Sequence, residues 1–466
     1  MRIDHVALIP AYLAAGTAVL VLLADLFRFF PLVVGLLGSL SVAGGAFWLS
    51  TGSPRTSFCV DDHCSFVVTD RSAVLMAVFA LLTAAVLAFS ATVRAPMGEY
   101  CFLLTCSMTG GVVLAGAGDL ITLIVALETL TLPLYVLVAL RRTLPAADGA
   151  VTFFVVSVVS TAISLLGAGL LYATTGAVHF PALFSGLASA PSALRPLAVV
   201  GIVVLIGGLA FKVAAVPLHA WAPSTYDGAP LPVAAYLSTA SKLGGVVALV
   251  YVVDVAVAPE RATAVAAVVV LSLLTMTVGN LVALRQRRMV RLLAWSSIAQ
   301  AGYILAAIAV DDGGATALTY AVFFVALELA AFGAVIALRP SLDGGALTDY
   351  AGAGRGAPWR SAVLLLALAG LAGLPPGIAG LFAKVAVVRS LVDSDATWLA
   401  VVVAVNAVVG LAYYVRAGAA LFVTPTVPAA PATPHWAVAA ALVLVALAAL
   451  VLGFAPQVVF DATALR

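Results

Sequence analysis

Charge is what this sequence has least of. Only 9% of its 466 residues are Asp, Glu, Lys or Arg, against about 25% in a soluble globular chain. That is too little charge to coat a water-facing surface, so a soluble globular protein is excluded. Cysteine is also sparse: the four present have no cluster spacing, which argues against an iron–sulfur centre in the chain. No Gly-rich loop follows a strand pattern, so no phosphate-cradling nucleotide site is expected. Polar gaps reach only about 20 residues, far below the size of an ordinary soluble domain. This leaves no room for a flavin, nucleotide or cluster domain. The start "MRIDHVALIP" lacks a clear basic region and a small-residue cleavage site, so the first apolar run is expected to be retained. Lysine is rarest of all, with three residues against nineteen arginines.

What is present is apolar. Hydrophobic residues make up 64% of the chain. Windows of about 20 such residues cross about 30 Å of hydrocarbon. Fourteen such windows lie between residues 6–26 and 435–454. Two of them, 99–117 and 119–140, are divided only by Gly118 and Asp119, so the expected count is twelve to fourteen. The fold class is therefore an all-α polytopic membrane protein. If the first helix enters from outside, twelve arginines lie inside and seven outside, with the cluster Arg285, Arg287, Arg288 and Arg291 inside. The positive-inside bias then places both termini outside.

The three lysines avoid every loop. Lys212 is in "GGLAFKVAAVP", Lys242 in "LSTASKLGGVV" and Lys384 in "GLFAKVAVV". Arginine stays charged in any protein site, whereas a desolvated lysine can release its proton. Each intramembrane charge opposes insertion by about 2.5–3.5 kcal/mol. Snorkelling to headgroups is the bland alternative. It suits Lys212, near the end of its unbroken run, better than Lys242, twelve residues into its window. Glu128, in "IVALETLTLPLYV", is a mid-span carboxylate of the kind that pairs or stays neutral. Helical spacing puts Ser238 on the stripe of Lys242, and aligns Ser296, Gln300 and Tyr303 at i, i+4 and i+7. These hydroxyls read equally well as a wet path or as interhelical hydrogen-bond glue.

Two windows are interrupted. Pro217 follows Lys212, and Gly373-Leu-Pro-Pro-Gly377 precedes Lys384. Proline frees a carbonyl, and irregular backbone at membrane depth needs a protein or aqueous cover. Two broken helices that each carry a lysine point to a transporter built from repeated halves. The outer stretch "SFCVDDHCSF" reads as a small hairpin. Cys59 and Cys64 there are candidates for a disulfide, with free thiols or a metal site with Asp61, Asp62 and His63 as the alternatives. Cys101 and Cys106 lie about 140° apart on one helix and should not pair.

The segments "FKVAAVPLHAWAPSTYDGAPLPVAAYLSTASK", "RRMVRLLAWSSIAQAGYIL" and "LAGLPPGIAGLFAKVAVV" resemble the antiporter-like membrane subunits of respiratory complex I, NADH–quinone oxidoreductase. The likeness spans about residues 70–420. The turn Tyr226-Asp-Gly-Ala-Pro230 before Ala-Ser-Lys242 is similar to the N type, so the long lateral helix of the L type is not expected.

The resemblance implies about fourteen helices with two inverted five-helix repeats. The divisions are 1–98 (helices 1–3), 99–257 (first repeat, helices 4–8), 258–423 (second repeat, helices 9–13) and 424–466 (helix 14). It implies that Glu128 biases Lys212, that Lys212 loads from the cytoplasm, that Lys242 is the central relay and that Lys384 lies near the exit. His219, Ser238, Ser296, Gln300, Tyr303 and Glu328 are possible accessory proton groups. Glu328 stands where a neutral polar residue is expected, either as an additional proton site or as a neutral, hydrogen-bonded acid. His219 is read first as a group that satisfies backbone at the break. No cofactor or metal is expected in this chain. NADH, flavin, iron–sulfur clusters and quinone belong to partner subunits. The implied partners are M-, K- and J-type membrane subunits and lipids, with no nucleic acid, in a bacterial plasma membrane. The competing functions are a subunit of a multisubunit Na+/H+ antiporter, a subunit of a related membrane-bound oxidoreductase or hydrogenase, and a non-conducting spacer.

Overall fold

A computed structural model describes residues 3–339, 343–425 and 433–464. In hydrocarbon every backbone N–H and C=O must bond internally, so apolar segments become helices. Twelve helices among the described residues are long and apolar enough to cross a membrane. Two further apolar helices, Arg195–Ala210 and Pro358–Ala372, are shorter. Both stop at the interruptions, and helix resumes at Trp221–Gly228 and Ile378–Asp393. The two interruptions that the sequence indicated are thus breaks between helices.

Polar side chains set several helix starts. Thr69 and Ser72 form a reciprocal capping box ahead of Asp70–Phe89. The narrow boundary at Gly118-Asp119 holds because Asp119 caps Leu120–Ala139, its Oδ1 accepting from the Thr122 amide at 2.7 Å. Between long helices, small residues permit close approach. A Cβ on Gly167 would lie 2.4 Å from the Leu205 amide nitrogen, so Leu144–Thr175 and Arg195–Ala210 pack nearly backbone to backbone there.

The helices differ in what they face. In Leu144–Thr175 only 28% of the most apolar window is buried, which marks a helix on the periphery of the chain. In Leu231–Ala256 and Met289–Ile308 the figure is 89%, so these lie in the interior. Arg288 pairs with Asp227 at 2.9 Å, and Arg141 donates to the Asp227 carbonyl at 3.1 Å. The C-terminal end of Leu120–Ala139 and the N-terminal ends of Leu231–Ala256 and Met289–Ile308 therefore share one side. The other side carries the hairpin Arg55–Val60 and His63–Val68, with Cys59 opposite Cys64 and their sulfurs bonded. It is joined to the boundary loop by Gly118 N–H to Ser65 O at 2.9 Å and Val67 N–H to Gly116 O at 2.8 Å. Cys101 and Cys106 are free.

Candidate functional site: a buried line of lysines

Depth follows from helix geometry. Glu128 is eleven residues from the end of Leu120–Ala139, Lys242 eleven from the start of Leu231–Ala256 and Gln300 eleven from the start of Met289–Ile308. At about 1.5 Å per residue each lies about 16 Å in, near the middle of the hydrocarbon. The three groups occupy one level.

At the first centre, Lys212 sits in the turn just after Arg195–Ala210, 5% exposed. Its Nζ donates to Glu128 Oε1 at 2.8 Å, to Thr131 Oγ1 at 3.0 Å and to Ser157 Oγ at 3.3 Å. The three acceptors use all three ammonium protons. Thr161 Oγ1 donates to the same Glu128 oxygen at 2.5 Å, and Tyr135 OH donates to Ser157 at 2.6 Å. A charged lysine and carboxylate in this setting hold one another in place.

At the second centre, Lys242 is 1% exposed. Its Nζ donates to the Ser297 carbonyl at 2.8 Å and to Ser297 Oγ. The turn before it, Leu237–Ser241, is a π-helical turn, a feature that recurs at functional positions. Ser238 does not join Lys242. Its hydroxyl donates to the Ala235 carbonyl of its own helix at 3.0 Å, and the widened π turn breaks the spacing on which the shared stripe depended.

At the third centre, Lys384 Nζ donates to the carbonyls of Leu371 at 2.9 Å and Ala372 at 2.7 Å. In an unbroken helix those carbonyls would accept from residues 375 and 376, which are both proline and have no N–H. The break thus supplies two acceptors at depth, and the lysine takes them. A Cβ at Gly380 would meet the Gly370 carbonyl oxygen at 1.7 Å, so only glycine lets the two halves fold together.

A polar chain leads toward Lys384. Ser296 Oγ and Tyr414 OH are 2.6 Å apart. Gln300 Nε2 donates to Tyr414 OH and to the Leu371 carbonyl, both at 2.9 Å. Tyr320 OH donates to Gln300 Oε1. Lys384 and Gln300 therefore share the Leu371 oxygen. Tyr303 belongs to a neighbouring group, accepting from Asn280 Nδ2 at 2.9 Å, and its ring lies 5.5 Å from Lys384 Nζ. His219 meets none of the lysines: its Nδ1 is 3.2 Å from the Pro217 carbonyl and its ring packs edge-on to Trp295. Glu328 is fully buried, and neither of its oxygens has a hydrogen-bond partner among the described residues.

Sequence reading missed Ser297, Tyr414, Tyr320, Asn280, Thr131, Ser157 and Thr161. A signal existed for some of them. Thr131 is three residues after Glu128 on the same helix face, and Ser157 and Thr161 stand at i, i+4. Tyr414 carried none, because its partner Ser296 is 118 residues away. No group of three or more His, Cys, Asp or Glu among the described residues is placed to hold a metal. Asp61, Asp62 and His63 therefore form no such site with the hairpin cysteines.

Residues 117–410 match the family described as NADH:quinone oxidoreductase/Mrp antiporter, TM. The chain is 57% identical to NADH-quinone oxidoreductase subunit N of Salinispora tropica, over 99% of each chain. It is 40% identical to NADH-quinone oxidoreductase subunit N 2 of Streptomyces griseus, covering 98% of this chain and 92% of that one. Among solved structures, a chain of respiratory complex I from Thermus thermophilus superposes with a TM-score of 0.82 at 29% identity, covering 98% of this chain and 99% of that one. The chain belongs to the antiporter-like membrane subunits of NADH–quinone oxidoreductase, and within them to subunit N.

Proposed function

We propose that this proton-translocating subunit of NADH–quinone oxidoreductase moves protons along Glu128, Lys212, Lys242 and Lys384. The observation that carries the proposal is the placement of its three lysines. All three are intramembrane, and each is held by a different polar cage: a carboxylate and two hydroxyls, a serine, and two carbonyls freed by prolines. Lysine in such cages can exchange a proton where arginine cannot. Glu128 sets the charge state of Lys212, which loads from the cytoplasmic side. Lys242 relays at the centre. Lys384 receives protons by way of the Gln300–Tyr414 group and delivers them to the outer side, with Ser296 and Tyr303 as accessory groups. Ser238 and His219 serve the local backbone.

The wider reading follows the same logic. Residues 99–257 and 258–423 form two antiporter-like repeats, flanked by 1–98 and 424–466; the paired broken helices support the division. NADH, flavin, iron–sulfur clusters and quinone are handled by partner subunits, and M-, K- and J-type subunits adjoin this one in a bacterial plasma membrane. Both termini face outward. The hairpin disulfide supports that orientation, because disulfides persist on the oxidising side.

The test is to isolate the intact membrane assembly containing this chain, identify its subunits and reconstitute it in liposomes. NADH-driven proton uptake without added sodium supports the proposal. Proton movement driven only by a sodium gradient, in an assembly lacking the NADH-oxidising subunits, would favour the antiporter reading.

A further inference from the structure

We propose that Glu328 is a further proton carrier, passing protons between Lys242 and the Tyr414–Gln300–Lys384 chain. The sequence of Gly313–Leu338 sets up the geometry. Tyr320, Phe324, Leu327 and Glu328 recur at i, i+4, i+7 and i+8, so they share one helix face. That face looks onto the polar line at each step. Tyr320 OH donates to Gln300. The Phe324 ring lies 6.0 Å from Lys242 Nζ. Leu327 fills the space that a Cβ on Gly370 would need, one residue before the carbonyl shared by Lys384 and Gln300. Glu328 thus sits between Lys242 and the break. It is ten residues from Leu338, at about the same depth as Lys242.

Its electrostatic neighbours agree with this placement. Glu328 interacts with Lys242 and with the hydroxyls of Tyr414 and Tyr226. Of these, Lys242 and Tyr414 are the two ends that the hydrogen-bonded chain leaves unjoined. Ser297 holds Lys242 and Ser296 holds Tyr414, with no hydrogen bond between the two serines among the described residues. A carboxyl group buried with no protein donor is costly to keep ionised unless a cation approaches. Lys242 is that cation, and its four-carbon stem lets the ammonium swing between Ser297 and Glu328.

The step is a simple proton transfer. When Lys242 is neutral, the Glu328 O–H bond breaks and an N–H bond forms, leaving carboxylate and ammonium. The reverse transfer restores the neutral pair. Toward Lys384 the carboxyl proton moves onto the Tyr414 oxygen as the Tyr414 O–H proton moves onto Ser296 Oγ, 2.6 Å away. The proton that Ser296 releases is carried by water to neutral Lys384, where an N–H bond forms. Gln300 and the Leu371 carbonyl position the lysine and carry no proton. No electrons move and no co-reactant is needed.

This inference rests on Lys242 being the central relay, and the test separates the two. Variants Glu328→Gln, Glu328→Asp and Lys242→Ala, and the double variant Glu328→Gln/Lys242→Ala, are made in the intact reconstituted complex. NADH-driven proton translocation is read across pH. Glu328→Gln should cut translocation by about a hundredfold, the low end of what a positioned acid–base group contributes, and flatten one limb of the pH profile. Glu328→Asp should retain more. The double variant should be no worse than Lys242→Ala alone, because coupled residues are non-additive. Infrared difference spectra during turnover should contain a carboxylic acid band that shifts in Glu328→Asp, a readout that holds even if Glu328→Gln fails to assemble. Wild-type translocation and pH profile in Glu328→Gln, or no such band in the wild-type complex, would overturn the inference while leaving the lysine path intact. Normal translocation by Lys242→Ala would overturn both.

Discussion

Replacing Glu128 with Gln isolates the charge of the first centre from its shape. Gln keeps the length and one acceptor oxygen, so Lys212 retains a hydrogen-bond partner but loses its counter-charge. At the observed 2.8 Å, unit charges at an effective dielectric of about 20 attract by about 6 kcal/mol. The carboxylate is 21% exposed, so solvent trims this toward the roughly 3–5 kcal/mol measured when buried pairs are broken. Replacing Glu128 with Asp instead withdraws the carboxylate by about one methylene, to roughly 4.3 Å. The same arithmetic then leaves about 4 kcal/mol, two thirds of the attraction. Ser157, Thr131 and Thr161 remain to hold the cage together. The assay is NADH-driven proton uptake by liposomes bearing the whole complex, with assembly checked by subunit composition. Glu128→Gln should lose most uptake and Glu128→Asp should keep an intermediate rate. Equal losses in the two variants, both fully assembled, would show that cage geometry rather than charge governs this centre and would refute the reasoning.

Other outcomes follow from single contacts. Tyr414→Phe removes the hydroxyl that joins Ser296 to Gln300, so translocation should fall severalfold while assembly holds; an unchanged rate would remove Tyr414 from the path. Mass spectrometry of the unreduced, alkylated protein should find a linked Cys59–Cys64 peptide, and labelling of both thiols by an impermeant reagent without reduction would reject the bond. Burial pushes the Asp4 carboxyl up, but the Arg55 guanidinium and the Val6 and Ala7 amides outweigh it and hold it below its usual 3.8. A depressed acid contributes stability above its unfolded value and loses it as pH falls through the folded one. Hydrogen exchange at the amides of Val6 and Ala7 should therefore stay protected until pH drops below 3.8; loss of protection at neutral pH would contradict the pairing.

The membrane class, the two breaks and the lysine set were legible because each violates a rule of its surroundings. A lysine in an apolar run and a proline pair in a helix both need a reason, and the reasons are local. That the mid-span Glu128 needed a partner or a proton was legible in the residues, but its pairing with Lys212 came only from the family resemblance. What stayed hidden depends on long-range packing. Nothing near Ser297 in the sequence says that its carbonyl receives Lys242, and Ser238 was assigned to the wrong neighbour because a π turn is invisible to a 3.6-residue period. The carbonyls of Leu371 and Ala372 were half legible: the prolines announce freed acceptors, but only the fold shows that Lys384, rather than water or a serine, takes them.

The most direct test of a titrating lysine path is Lys242→Arg in the reconstituted complex. Arginine preserves a positive charge and hydrogen-bond donors near Ser297 but does not release its proton. If Lys242 works by changing charge, Lys242→Arg should assemble and yet lose most NADH-driven proton translocation, as Lys242→Ala does. Translocation at the wild-type rate in Lys242→Arg would contradict that role, because a fixed charge would then suffice.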